Sequence, residues 1–257
     1  MAARPKPGPR LVAANGARTP APRPRRNREN LFALAYERLE EMTVTCELRP
    51  GRLLAMQELQ DMTGFGRTPV HQAVSRLAAD TLITIRPRHG LQIAPIDLAR
   101  ERVLLRLRRD LERFVIRLAA ERSGPTHRNQ LLHMTRTLRQ GRKAMTISEF
   151  NLLDRRIDRL IMAAAGEPFL EHTLRPLHTM SRRIGWIYHN WVAAEAGLHQ
   201  TVDCHLDILD AVANRHVEAA VAAADRLIDF ADSMFDRMER EIDPALLDCS
   251  LDQLPQA

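Results

Sequence analysis

Arg67-Thr68-Pro69 sets a guanidinium, a hydroxyl and a proline side by side. Thr68 suits a helix N-cap and Pro69 the first helical position, so the run predicts the start of a helix. The free N–H groups of that first turn, with the Thr68 hydroxyl, can hold a phosphate, and Arg67 can reach a phosphate or a guanine. Further along, Asp154 and Asp158 are spaced i, i+4, which puts both carboxylates on one face of a helix, where they could share a hard cation. The sequence has no Gly-rich phosphate loop and no Ser or Cys nucleophile motif.

The elements that position these residues can be read from periodicity. Asn30 is a candidate N-cap, and Leu31, Leu34, Ala35, Leu39 and Met42 recur at helical spacing up to Thr43. Pro50-Gly51 marks a turn, a short helix spans about 56–63, and Gly64 fits its C-terminal cap. The helix opened by Thr68 runs to about Asp80. Residues 82–96 then read as a β-hairpin around Pro87-Arg88-His89-Gly90. Helix, helix-turn-helix and hairpin in that order predict a winged helix-turn-helix domain. In such a domain Gln57 on the preceding helix and His71 on the first turn of the recognition helix face base edges. Arg76 offers a further cation, and His89-Gly90 form the wing tip. From residue 97 onward the pattern is helical, with segments near 97–122, 128–140, 147–165, 169–191, 195–214 and 217–241. Short links between them predict an antiparallel bundle.

The fold class expected is therefore mainly α: a flexible basic arm (1–29), a winged helix (30–96), a helical domain (97–243) and a flexible tail (244–257). The 257 residues are 45% hydrophobic but only 4% aromatic, which argues against a large all-β architecture. The net charge of +6 is uneven: residues 1–30 hold eight basic side chains and one acid, +7, so the remainder carries −1. Residues 31–96 balance seven basic against seven acidic side chains, so specific DNA binding would need a dimer or help from the arm. Cys46, Cys204 and Cys249 form no CxxC pair, and no apolar run is long enough to span a membrane. The expected setting is the cytoplasm.

The run from Pro50 to Ile93 resembles the N-terminal domain of GntR-family bacterial transcription regulators, through Pro50-Gly51, Leu54, Gly64, Arg67-Thr68-Pro69-Val70, Ala73, Arg76-Leu77 and Gly90. The departures are His71-Gln72 where the family usually has Arg-Glu, and Gly66 where it has Ser. These imply a different operator sequence, since a histidine donates fewer and less charged contacts than an arginine. The helical half resembles the FCD effector domain of the FadR-like branch, on Arg108-x-x-Leu111-Glu112, the stretch 150–170 and the stretch 205–220. This resemblance implies a homodimeric regulator, more readily a repressor, controlled by a small organic acid. It also implies a divalent metal site with one Asp and three His. Asp154 and His205 match two of these positions, while Asp158 and Leu227 stand where the other two histidines would be. Two carboxylates and one imidazole would make a weaker, less zinc-like site.

Without a metal, an acidic effector needs a cation. Arg108 is the motif-supported candidate, and Arg182 or Arg183 could also clamp a carboxylate. Inter-helix ion pairing is the simpler reading of Arg182 and Arg183. His172, His178, His189, His199 and His216 have no motif support and read as surface or core residues. Two rival functions were weighed: a DNA-binding regulator with a degenerate pocket, and a metal-dependent hydrolase on the bundle, for which the sequence lacks the extra ligands.

Overall fold

The computed structural model describes residues 26–194 and 197–250. The arm as far as residue 25 and the last seven residues lie outside the described residues. Helix α1 (Arg26–Val44) is followed by β1 (Leu53–Leu54), α2 (Met56–Thr63), α3 (Arg67–Ala79), β2 (Ile83–Arg86) and β3 (Gly90–Ile93). The helical half comprises α4 (Leu98–Arg122), α5 (Pro125–Gly141), α6 (Ile147–Ala165) and α7 (Pro168–Ile187), which runs into a π-helical turn (Tyr188–Val192). α8 (His199–Ala213), α9 (Val217–Glu241) and the single turn α10 (Pro244–Leu247) complete it.

The winged helix is built as its apolar spacing dictates. Ala35, Leu39 and Met42 of α1 and Val70, Ala73, Val74 and Leu77 of α3 are fully buried against each other. Each of the larger side chains contributes about 1.5–3 kcal/mol by leaving water. The strands form an antiparallel sheet in the order β1-β3-β2, with Ile83 opposite Ile93 and Arg86 opposite Gly90. Gly90 has φ +91°, and a Cβ there would stand 2.6 Å from the Leu54 carbonyl oxygen. Only glycine lets β1 join the wing at this point.

Three local expectations are corrected. α1 begins at Arg26, upstream of Asn30, so Asn30 is no N-cap and the arm ends earlier than residue 29. α3 starts at Arg67 with Gly66 as its N-cap, which places Thr68 and Pro69 inside the first turn. Proline is tolerated there because first-turn N–H groups have no intrahelical acceptor. Finally, residues 243–250 are not frayed. Asp243 caps α10, Ile96 N–H donates to the Leu247 carbonyl at 2.8 Å, and Cys249 N–H donates to the Pro50 carbonyl at 2.9 Å, so the segment folds back on the winged helix.

In the helical half Asp97 caps α4 by accepting from Arg100 N–H, and Thr146 with Glu149 forms a capping box on α6. α4 and α9 run antiparallel, seamed by Arg102–Asp232, Arg109–Asp229, Arg113–Asp225 and Arg117–Glu218. This ladder accounts for much of the arginine in α4. One apolar core runs from Ala35 and Leu39 of the winged helix to Ala223 and Ala224 of α9. The buried face of α4 also carries Glu101, Arg108 and Glu112. Charges on an inward face need partners, and those partners define the site.

Candidate functional site

The apolar face of α3 is spent on the winged-helix core, so its opposite face is open. Arg67, Thr68 and His71 are all exposed, with Arg67 and His71 one turn apart. Pro69 has no N–H, so the free donors of the first turn are those of Arg67 and Thr68. Gln57, exposed on α2, donates to Asp61 at 2.9 Å. His89 is exposed at the wing turn, its N–H donating to the Arg86 carbonyl at 3.0 Å, and Arg88 beside it has φ +67°. Arg76 departs from this group. It sits 3.5 Å from Asp80, and its Nη2 lies 3.2 Å from His172 Nδ1 on α7, so in this arrangement it belongs to the contact between the domains.

Inside the helical bundle, α4, α6, α7, α8 and α9 enclose a cavity with about 80 Å³ accessible to water, room for a small organic molecule. Leu105, Phe150, Leu177, Leu227 and Phe235 supply apolar wall, while Arg108, Asp154, His178, Arg182 and His205 supply charge. His189 Nε2 lies 3.1 Å from Thr201 Oγ1, and burial lowers the His189 pKa to about 4, so the ring is neutral. Its Nδ1 and the Asn151 side-chain amide nitrogen are buried without a hydrogen-bond partner. Both belong to residues lining the cavity.

The charged residues form a connected chain. Arg108 Nε donates to Glu112 at 3.0 Å. His178 has Nε2 2.7 Å from Glu112 and Nδ1 3.1 Å from Asp158. A ring with carboxylate oxygens at both nitrogens must carry both protons to satisfy them. Burial opposes that charge, but Asp158 and Glu112 outweigh it and push the His178 pKa up to about 9. Burial would likewise raise Glu112 and Asp158. Their cationic neighbours, His178 with Arg108 and His178 with Arg182 respectively, overcome this and hold both at about 2. Arg182 Nη1 donates to Asp158 at 2.6 Å and reaches Asp154 at 3.3 Å. His205 donates Nδ1–H to the Thr201 carbonyl at 2.7 Å and lies 2.9 Å from Asp154 through Nε2. Burial lowers the basicity of His205, but the Asp154 contact prevails and raises its pKa.

Asp154, Asp158 and His205 are thus brought together as expected, yet they do not form a metal donor set. The Arg182 guanidinium sits at both carboxylates, where a divalent ion would have to be. Among the described residues no group of three or more His, Cys, Asp or Glu is placed to hold a metal ion. Leu227, at the position the resemblance assigns to a histidine, lines the cavity with a branched alkyl chain. The residues do not fit a metal: the cation here is a guanidinium.

Sequence reasoning missed the centrality of Arg182 and His178. Arg182 does make inter-helix ion pairs, but they are buried and shared with the cavity. It also extends across the domain boundary: its Nη2 lies 3.7 Å from Glu40 on α1 and accepts company from Thr179, whose hydroxyl donates to the same Glu40. Arg155 reaches Glu40 at 3.3 Å. The neighbouring Arg183 donates to the Ala94 carbonyl, on the linker between wing and bundle, at 3.0 Å. No single motif signals this, because the partners come from α1, α6, α7 and the linker.

Comparison with known proteins agrees with this architecture. Residues 33–93 match the profile of the bacterial regulatory proteins, gntR family, and residues 103–230 match the FCD domain. An uncharacterized HTH-type transcriptional regulator in an unstable DNA locus of Streptomyces ambofaciens is 28% identical over 194 residues, 73% of this chain and 78% of the relative. The HTH-type transcriptional repressor RspR of Escherichia coli K12 is 27% identical over 191 residues, 73% of this chain and 81% of the relative. Among solved structures, E. coli McbR/YncC superposes with a TM-score of 0.70 at 18% identity, covering 82% of this chain and 99% of that one. Listeria monocytogenes Lar gives 0.51 at 16% identity, covering 81% and 97%. These likenesses support the fold. No helix among the described residues is long and apolar enough to cross a membrane. The chain belongs to the GntR family of bacterial regulatory proteins and is a DNA-binding transcriptional regulator, with an FCD domain behind its winged helix.

Proposed function

We propose that this regulator is a cytoplasmic homodimeric repressor whose operator affinity is set by a small organic acid bound in the bundle cavity. Arg67 and His71 read base edges, Thr68 with the first-turn N–H groups of α3 holds a phosphate, and His89-Gly90 approach the backbone beside the groove. Gln57 serves the same surface from α2. The repressor sign follows RspR, which its name describes as a repressor.

One observation carries the effector reading: the Arg182 guanidinium serves the cavity carboxylates Asp154 and Asp158 and also faces Glu40 on α1. An anionic ligand entering the cavity competes for Arg182 and Arg108, using the unpartnered Asn151 and His189 nitrogens as further donors. Drawing Arg182 inward weakens its hold on Glu40. Because α1 packs along α3, the two winged helices of a dimer would then be held differently. The positive charge is supplied by arginine, so this mechanism takes no step through a metal.

The test is operator binding by the full chain, titrated with a panel of small mono- and dicarboxylates at fixed ionic strength. One acid should shift operator affinity by about fivefold or more, and Arg182→Met should abolish the shift while DNA binding persists. A panel with no effect on either wild type or variant argues for the second reading, a regulator that no longer senses a ligand.

A further inference from the structure

A second cavity lies between the domains, bounded by α1 and α3 on one side and by α6 and α7 on the other. It leaves about 340 Å³ accessible to water, well above the room in the bundle cavity. Five arginines line it, Arg76, Arg155, Arg159, Arg175 and Arg182, against the four carboxylates of Glu37, Glu40, Asp158 and Glu171. His178, protonated between its two carboxylates, adds a further positive charge.

The η nitrogens of these arginines are largely committed. Arg155 faces Glu40 at 3.3 Å, Arg175 faces Asp80 at 3.4 Å, and Arg182 faces Asp158 at 2.6 Å. Their ε nitrogens are not: Nε of Arg155, Arg175 and Arg182 is in each case buried with no hydrogen-bond partner. Nε of Arg76 is also without a hydrogen bond, although Asp80 lies 3.5 Å away. Arg182 itself is only 6% exposed. Buried N–H groups are nearly always satisfied, and four converging on one cleft call for an acceptor. Apolar surface adjoins them. Phe32, Tyr36 and Met162 line the same cleft, and the Arg175 guanidinium stacks 5.0 Å over the Tyr36 ring.

We infer that this interdomain cleft is a second ligand site, distinct from the bundle cavity, and that it takes a small dianionic oxyanion of the phosphate-monoester class with an apolar substituent. The oxyanion accepts from the arginine ε N–H groups, and the substituent lies against Phe32, Tyr36 and Met162. Arg76 comes from the recognition helix, whereas Arg155, Arg175 and Arg182 come from the bundle. One bound anion therefore ties the recognition helix to the bundle and favours this domain arrangement over any in which the cleft is open. The inference does not depend on an acid binding in the bundle cavity.

Phenyl phosphate and inorganic phosphate are suitable probes, titrated calorimetrically into the full-length protein at constant ionic strength. Phenyl phosphate should bind saturably, one per chain, and more tightly than phosphate. The double variant Arg155→Gln, Arg175→Gln should weaken binding at least about tenfold. Arg226→Gln, the same kind of charge loss on the exposed far side of α9, should leave it unchanged. Should the double variant fail to fold, Ala33→Trp fills the cleft mouth without removing a charge and should also block binding. The inference is overturned if wild type shows no saturable binding, if Arg226→Gln weakens binding as much as the cleft variants, or if Ala33→Trp binds like wild type.

Discussion

The Arg182 guanidinium donates to the Asp158 carboxylate at 2.6 Å inside the bundle, on residues 24 positions apart in sequence. With Asp154 at 3.3 Å from the same nitrogen, one arginine neutralises the pair of acids whose spacing first suggested a cation site. Arg182→Met leaves both acids buried without their cation, and removing one partner of a buried pair costs about 3–5 kcal/mol. Urea denaturation should register that loss, and the double variant Arg182→Met, Asp158→Asn should recover part of it. A single variant as stable as wild type would show that the pair is not buried in solution.

Because the cation is already in place, divalent ions should have little to bind. Stripped protein mixed with stoichiometric Mn²⁺, Ni²⁺ or Zn²⁺ should melt within about a degree of the metal-free sample, since only a ligand that binds the folded state stabilises it. A rise of several degrees saturating at one ion per chain would contradict the donor-set reading.

The His178 cluster fixes how stability follows pH. Its folded pKa of about 9 lies above the free value of 6.5, so its stabilisation is fully present below pH 6.5 and is lost as pH rises through 9. Glu112 and Asp158, held at about 2, stabilise above their unfolded values near 4 and lose that contribution as pH falls towards 2. Stability measured by urea titration should therefore plateau between about pH 5 and 6.5 and fall on both sides. His178→Gln should flatten the alkaline limb. An alkaline limb unchanged in that variant would assign the fall to another group.

On the DNA side, Arg67 is exposed and makes no core contact. Arg67→Ala should leave the melting temperature unchanged and cost about 1–3 kcal/mol of operator affinity. His71→Ala should change which sequences are preferred more than it changes total binding. Arg76→Ala should act differently, altering domain docking through His172 and Asp80, with a smaller effect on sequence preference. Base-by-base competition with the three variants separates these outcomes.

Much of the fold was legible because its signals are local. Turn residues, the change from helical to alternating periodicity at residues 82–96, and short links between helices identified the winged helix and the bundle. Boundaries failed where the decisive contact was distant. α1 continues upstream of the polar Asn30, and residues 243–250 are ordered by Pro50 and Ile96, far away in sequence. The site divided in the same way. Asp154 and Asp158 were visible at helical spacing, and Arg67 and His71 through the helix start. Arg182, His178 and Glu40 were not, because each matters through partners on other helices, and a lone buried histidine or arginine has no pattern of its own. Arg76 looked like a groove contact from its place on α3, yet α7 supplies it with His172.

The central claim is site-specific DNA recognition by the exposed face of α3, and it is tested most directly by recovering the genomic fragments that the full-length protein retains at about 150 mM salt. The account predicts that a few fragments sharing an inverted repeat are retained, and that Arg67→Ala loses them. Indiscriminate retention, washed off evenly by salt and unaffected by Arg67→Ala, would show that basic charge alone binds DNA and would contradict it.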